Sequence, residues 1–376
     1  MNRLIIIGYE HHNTLGAIRA SYDIKDEKWL IVIAPQKSKR YVEFSRYIKR
    51  SNVIQINDES KLITTLKSFP LNNDNTIILS CGDKITHLLD INKSNLPSNF
   101  VLPIINAKIG KVSSLQDKNE MNRIVSKYDV RIPYSKNISR TDNLNIVDNC
   151  KFPCFIKAAS SCDGPKDLTI YKTREELLKG IQSLHKVCKD IQIQEYIEKD
   201  KEILILGYAD GKGGCALSCV LDKYRQCPPK VGGSTYCYVS PYIEDYIEPK
   251  ILKQIIIDSG YNGLFSFEFL IKDKQAYFLE INFRNDAMGF APTGGNVNQL
   301  KLWYDSNING TRITEQRVKD SYMLMSDIND ISNILNKEVS LSSWIKQFIT
   351  AKVKLLWSIK DPAPFFIYFF NRIFRR

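Results

Sequence analysis

The stretch from Leu264 to Phe283, LFSFEFLIKDKQAYFLEINF, restricts most tightly what this chain can fold into. Two alternating runs flank Asp273-Lys274-Gln275, and such alternation marks strands buried on one side. Phe265, Phe267, Phe269 and Ile271 form the apolar row of the first strand. Tyr277, Leu279, Ile281 and Phe283 form that of the second. Both rows must face one core, so the three-residue loop sets the register and puts Glu268 directly opposite Glu280. Facing Cβ atoms in a sheet lie about 5 Å apart, where two carboxylates repel unless something neutralises them. Asn282 and Arg284 continue the same face. A hard divalent cation suits it: Mg²⁺ takes a few carboxylate and amide oxygens and keeps its other positions for phosphate. A merely solvated polar face does not account for Leu270 and Phe278 flanking the acids.

A metal held this way serves phosphate chemistry, and phosphates also need cations. Lys157 lies in the apolar strand CFIKA, where a lysine needs a partner. Lys118 opens a helical segment, DKNEMNRIVSKYD; taken alone it reads as surface charge. After Lys157 comes AASSCDGPKD, a small polar loop able to fold its N–H groups over phosphates. The segment IQIQEYIEKDKEI has the features of a nucleotide hinge, with a strand edge for a base and a carboxylate farther on for ribose hydroxyls.

The expected architecture is α/β followed by α+β. Residues 1–110 alternate apolar runs (4–8, 29–34, 52–56, 76–80) with segments long enough for crossover helices, the pattern of a doubly wound parallel sheet. Its first turn, GYEHHNTLG, lacks G-x-G-x-x-G, so no dinucleotide is placed there. Ligands of such sheets sit at the carboxyl ends of strands. His11, His12 and Asn13 are therefore candidates for touching substrate, with a polar turn capping the next helix as the equal alternative. Beyond Gln116 the pattern turns to hairpins, including 202–221 around a Gly-rich turn. The expected division is a second domain over 111–310, with lobes of about 115–200 and 201–310, then a helical extension over 311–376.

The order and spacing of these segments from Gln116 to Leu302 resemble the ATP-grasp superfamily of carboxylate–amine ligases. The nearest likeness is to the D-aspartate ligase and carbamoyl-phosphate-synthase-like branch, through SCGDKITHLLDINKSNLPSNFVLP and LQDKNEMNRIVSKYDVRIPYS. The first domain resembles the one that precedes ATP-grasp. The resemblance implies ATP and Mg²⁺, with Mn²⁺ as a substitute. It implies Lys118 and Lys157 on the ATP phosphates, Glu195, Tyr196 and Ile197 at adenine, and Glu202 at ribose. Glu268, Glu280 and Asn282 would hold the metal, and Arg284 would stabilise the transferred phosphoryl group. DKYRQCPPKVGGSTY would be the loop over the substrate, with Lys223, Arg225 and Lys230 as its cations. The phosphate loop departs from the pattern in carrying a single glycine. The expected activity is amide formation from a carboxylate, an amine and ATP. Alternatives are a D-aspartate-ligase-like enzyme of cell-envelope or surface-polymer synthesis, and a non-catalytic nucleotide-binding scaffold at a membrane.

Bulk properties narrow the field further. The 376 residues suit two or three domains, and 43% hydrophobic with 25% charged is a globular composition. Nine scattered cysteines and four histidines make no zinc pattern, which reads as reduced thiols in a cytoplasmic protein. The apolar run before Gly8 is too short for a signal peptide. Of the net charge of +12, half lies in residues 346–376, in a segment crowded with aromatics. That distribution speaks against a nucleic-acid groove. It suggests that FFIYFFNRIFRR lies on an anionic membrane surface, the rival being that these aromatics pack on the enzyme itself.

Overall fold

The computed structural model describes the chain apart from residues 1, 37, 71–73, 106–107, 159–168, 230–231, 244–245 and 375–376. The first sheet is built from β1 (Arg3–Tyr9), β2 (Glu27–Ile33), β3 (Val53–Ile56), β4 (Thr76–Ser80) and β5 (Phe100–Val101). The spatial order is β3-β2-β1-β4-β5, all parallel. Its strands are apolar on both faces because helices cover both. Leu4 and Ile6 join one core and Ile5 and Ile7 another. Helix α1 (His12–Ala20) follows β1; α2 (Leu62–Lys67) and α3 (Asp83–Ile91) flank β4. The strand order reverses between β1 and β4, so a crevice opens at their carboxyl ends.

Helices α4 (Lys111–Leu115) and α5 (Lys118–Val125) lead into the second half. Asp117 caps α5 by accepting from the Asn119 and Glu120 N–H groups at 2.9 and 3.0 Å. The smaller lobe holds β6 (Ser135–Ser139), β7 (Cys154–Ala158), β8 (Ile170–Tyr171), α6 (Arg174–Leu184) and β9 (Asp190–Glu195). Its antiparallel sheet, ordered β6-β9-β7-β8, closes a core of Ile156, Ile193, Leu177 and Ile181.

The larger lobe starts with β10 (Lys201–Asp210), β11 (Cys215–Cys227), β12 (Gly233–Ser240), α7 (Pro249–Ser259), β13 (Asn262–Lys272) and β14 (Gln275–Asn282). The turn from β10 to β11 needs glycine, since Gly211 and Gly213 take φ of +68° and +98°. Then come α8 (Gln299–Ile308), β15 (Tyr322–Met325), α9 (Asp327–Leu335), α10 (Leu341–Thr350), β16 (Val353–Lys354) and α11 (Ala363–Phe374). The seven-stranded order is β14-β13-β10-β11-β12-β15-β16. The segment after residue 310 is thus not only helical: β15 and β16 extend the large sheet. It is also clamped to the first domain. Arg19, 2% exposed, pairs at 2.9 Å with Asp361, 1% exposed, and donates to the Leu355 and Leu356 carbonyls.

Candidate active site

The β13–β14 hairpin turns on two residues, not three. Asp273 and Lys274 take φ of +48° and +60°, and Lys272 pairs with Gln275. Such mirror-image turns match the twist of the strands they join. With that turn alone, Glu268 would face Leu279. A bulge at Leu279 inserts one residue, and below it Glu268 faces Glu280 and Phe267 faces Ile281. The expected carboxylate pair is present, but the apolar row is not the expected one. Phe278 is in the core against Phe269, followed after the bulge by Ile281 and Phe283. Leu279 instead lines the cleft with Leu270.

Lys223 and Arg225 lie in strand β11, not in a loop over the substrate. Lys223, with 5% of its side chain exposed, sits between two carboxylates: 2.7 Å from Glu268 and bonded to Glu202. Lys199 and Gln226 bond the other oxygen of Glu202. Burial opposes ionisation of Glu202, but Lys223 and Lys199 outweigh it and lower its pKa. For Glu268, burial and the charges of Glu280, Asp286 and Glu202 push the pKa up to about 7 against the pull of Lys223. Arg225 has no place in this cluster. A register shift between Lys223 and Arg225 flips the strand, and Arg225 pairs with fully buried Asp330 at 2.6 Å while lying over the Tyr236 ring.

Just past β14, Arg284 reaches four acceptors. Its Nε is 3.0 Å from Asp83 and its Nη2 is 3.0 Å from Asn282 Oδ1. Its Nη1 contacts Asp286 and the Asn285 carbonyl. Burial disfavours its charge, but Asp83 and Asp286 more than restore it. Asn282 donates to Ser266 at 3.2 Å and to Glu268 at 3.4 Å. Asn13 is no substrate contact. It is 6% exposed, donates to the Cys81 and Asn285 carbonyls at 3.2 and 2.9 Å, and accepts from the Asn285 amide. His11 caps α1 through its Nδ1, and His12 stacks beside it with ring centroids 3.8 Å apart.

A cleft of about 560 Å³ joins these groups to the small lobe. Its walls include Lys118, Lys157, Tyr196, Ile197, Glu202, Lys223, Glu268, Glu280 and Arg284. Lys157 Nζ donates to Gln194 at 2.8 Å and lies 5.6 Å from the Phe155 ring. Glu195 is turned away from the cleft: its carboxylate accepts from the Tyr134 N–H at 3.2 Å and lies 3.8 Å from Lys151. Alternation along β9 explains this, since Gln194 and Tyr196 take the cleft face. Lys230 and the loop 159–168 lie outside the described residues. Sequence reasoning missed Lys199, Gln194 and Asp286; only Asp286, in the RNDAMG run, carried a signal.

Among the described residues no three His, Cys, Asp or Glu side chains converge as a metal cage. The facing pair Glu268/Glu280, with the amide of Asn282 beside it, still fits Mg²⁺, which needs only one or two carboxylates when phosphates complete its shell.

A family model described as "Carbamoyl-phosphate synthase L chain, ATP binding domain" matches residues 117–289, the span that builds this cleft. Residues 117–289 form an ATP-grasp domain. Solved structures of similar fold extend the likeness to most of the chain. The N5-carboxyaminoimidazole synthetase of Staphylococcus aureus is 14% identical, with 89% of this chain and 86% of that one covered and a TM-score of 0.66. The biotin carboxylase domain of the Hydrogenobacter thermophilus 2-oxoglutarate carboxylase, solved with MgADP and bicarbonate, is 15% identical over 85% and 73%, with a TM-score of 0.64. The L-amino acid ligase of Bacillus licheniformis is 13% identical over 82% and 74%, with a TM-score of 0.55. The ATP-grasp domain thus comes with a preceding parallel-sheet domain, as the sequence resemblance implied.

Proposed function

We propose that this protein is an ATP-dependent ligase that joins a carboxylate to an amine through an acyl phosphate. The observation that carries the reading is the facing pair Glu268/Glu280 beside Arg284, in one cleft with Lys118 and Lys157. In the first step a carboxylate oxygen attacks the γ-phosphorus of ATP. The new O–P bond forms as the β–γ bridge breaks, and ADP leaves. The amine then attacks the acyl carbon. The C–N bond forms, the C–O bond to phosphate breaks, and one amine proton leaves with the phosphate side. Arg284 and Lys157 face charge that builds on the phosphoryl oxygens, and they are already held in place by their own partners. Glu268, Glu280 and Asn282 would hold Mg²⁺, which neutralises phosphate charge when bound. No protein nucleophile is required.

ADP release measured against panels of carboxylates and amines tests this. The expected result is release that needs both substrates. ATP binding with no substrate-stimulated release would favour the nucleotide-binding scaffold. A response confined to D-aspartate would support the D-aspartate-ligase-like alternative.

A second reading concerns the C-terminal surface. On α11, Phe365, Ile367 and Tyr368 pack on the first domain, Tyr368 edge-on to Tyr41 at 5.2 Å. Phe366, Phe370 and Ile373 point outward at 60, 51 and 63% exposure. Helix α10 likewise leaves Leu341, Ile345 and Ile349 exposed. Lys346, Lys352, Lys360 and Arg372 are exposed on the same segment. Among the described residues no helix is long and apolar enough to cross a membrane. We infer that this surface rests on an anionic bilayer of the cytoplasmic face, with apolar side chains inserted and cations at the headgroups. Combined Phe366→Ser, Phe370→Ser and Ile373→Ser should abolish sedimentation with phosphatidylserine vesicles at an unchanged melting temperature. Undiminished sedimentation would refute it.

A further inference from the structure

Next to the cleft lies a second chamber of about 320 Å³. It is bounded by His11 and His12 at the N-terminus of α1, by Ser234 on β12, and by Asn329 and Ser332 on α9. Gly233, Ala287 and Met288 line both spaces, so the two adjoin. The chamber also lies where the strand order of the first sheet reverses, the crevice in which such sheets bind ligands.

We propose that this chamber receives the carboxylate substrate, a small acid of amino-acid size, and that His11 orients it as a hydrogen-bond donor. The inference rests on the ligase reading above. The cap geometry fixes the state of His11. The Asn13 N–H donates to His11 Nδ1 at 3.2 Å, which requires a lone pair on that nitrogen. A neutral ring then carries its proton on Nε2, and Nε2–H is a donor.

The chamber selects an anion over an ammonium. No lining side chain among the described residues is acidic. Asp286, the carboxylate felt by His11, is already committed to Ser266 at 2.9 Å, to the Met288 N–H at 2.8 Å and to Arg284. An ammonium group would find no free counter-charge there. A carboxylate would find the His11 donor and the hydroxyl groups of Ser234, Thr235 and Ser332. Size points the same way, because ligand pockets run from about 300 to 1,000 Å³ and this one is at the small end. A polymer or a nucleotide does not fit it.

His11→Asn separates capping from binding. Asparagine is among the best helix caps, so α1 keeps its N-terminus while the Nε2–H donor is lost. The full-length chain is assayed with MgATP, single L- and D-amino acids as acids, and hydroxylamine as the trapping amine, with hydroxamate as readout. For an acid that the wild type activates, His11→Asn should raise the acid's KM about ten- to a hundredfold, the worth of a hydrogen bond to a charged group. The KM for ATP and the melting temperature should stay unchanged. Ser332→Trp, which fills the chamber, should abolish hydroxamate while MgADP still binds. An unchanged acid KM in His11→Asn, or full activity in Ser332→Trp, overturns the chamber assignment and leaves the ligase reading standing. A wild type that forms no hydroxamate with any acid removes the ligase reading, and this inference with it.

Discussion

Replacing Glu268 by glutamine should make the metal-free protein more stable at neutral pH, although it removes a proposed metal ligand. The folded-state pKa of Glu268 is raised from 4.5 to about 7. The folded protein therefore holds this proton more tightly than the unfolded chain does. Below pH 4.5 both states are protonated and the group contributes no pH dependence. Between 4.5 and 7 the unfolded chain loses this proton while the folded protein still holds it, so stability falls as pH rises. Above 7 the loss is complete. A shift of this size corresponds to about 3 kcal/mol. Lys223 must stay buried in both proteins, so part of the difference is offset by its lost partner. Denaturant melts of wild type and Glu268→Gln, without divalent ions, check this between pH 5 and 8. The stability gap should move in favour of the variant as pH rises, by about 3 kcal/mol at most. Adding MgADP should reverse the order in the wild type alone, because a metal ligand binds deprotonated and the ion supplies the missing positive charge. The stabilisation by MgADP should therefore grow from pH 5 to pH 7.5. Parallel pH curves for the two proteins, or a MgADP effect independent of pH, would refute the reasoning.

Arg284→Lys should lower kcat far more than it raises the KM for ATP. Lysine keeps the charge but cannot span Asp83, Asn282 and Asp286 at once, and a defect seen only in ATP affinity would return Arg284 to ground-state recognition. Arg225→Ala should cost about 3–5 kcal/mol of stability, since it strands the fully buried Asp330, while MgADP affinity stays unchanged. Weakened MgADP binding in a folded Arg225→Ala protein would restore Arg225 to the site.

The parts of the site that were legible are those fixed by local periodicity. The period of two in residues 264–283 was enough for a hairpin with its acids turned from the core, and the apolar runs of residues 1–80 were enough for a parallel sheet. What escaped was set by single-residue insertions. Nothing marks Leu279 as a bulge, since no Gly or Pro is near it. Nor does Asp273-Lys274 look like the Asn-Gly that such turns favour. The wrong loop length and the unseen bulge compensated each other, so the carboxylates came out right and Phe278 came out on the wrong face. The register shift before Arg225 had the same effect without a compensating error. Asn13 escaped for another reason. Its partners, Cys81 and Asn285, are distant in sequence, and only the fold shows that its amide is fully used. The tail was legible in composition but not in orientation: α11 packs Phe365, Ile367 and Tyr368 on the enzyme, as the rival reading had it, and leaves Phe366, Phe370 and Ile373 exposed.

The same contacts explain why the first domain belongs to the site. In an open parallel sheet the crevice at the strand reversal is where a ligand would sit. Here the backbone of residues 284–286 closes part of it. The Asn285 N–H donates to the Ser80 carbonyl at 3.0 Å, Asn13 grips the Asn285 carbonyl at 2.9 Å, and Asp83 takes Arg284 at 3.0 Å. Each of these partners lies just past, or at the end of, β1 or β4. The carboxylates Glu268 and Glu280 are positioned by their own hairpin, but the guanidinium beside them is positioned by the other domain. The distance between the two therefore depends on how the domains are docked. The bonds that set it are short, and Asn13 and Asn285 are buried, so this arrangement changes only if several of them break together. The first sheet thus supplies the fixed wall against which Arg284 is aimed, and its remaining open crevice, under His11, is left for the substrate.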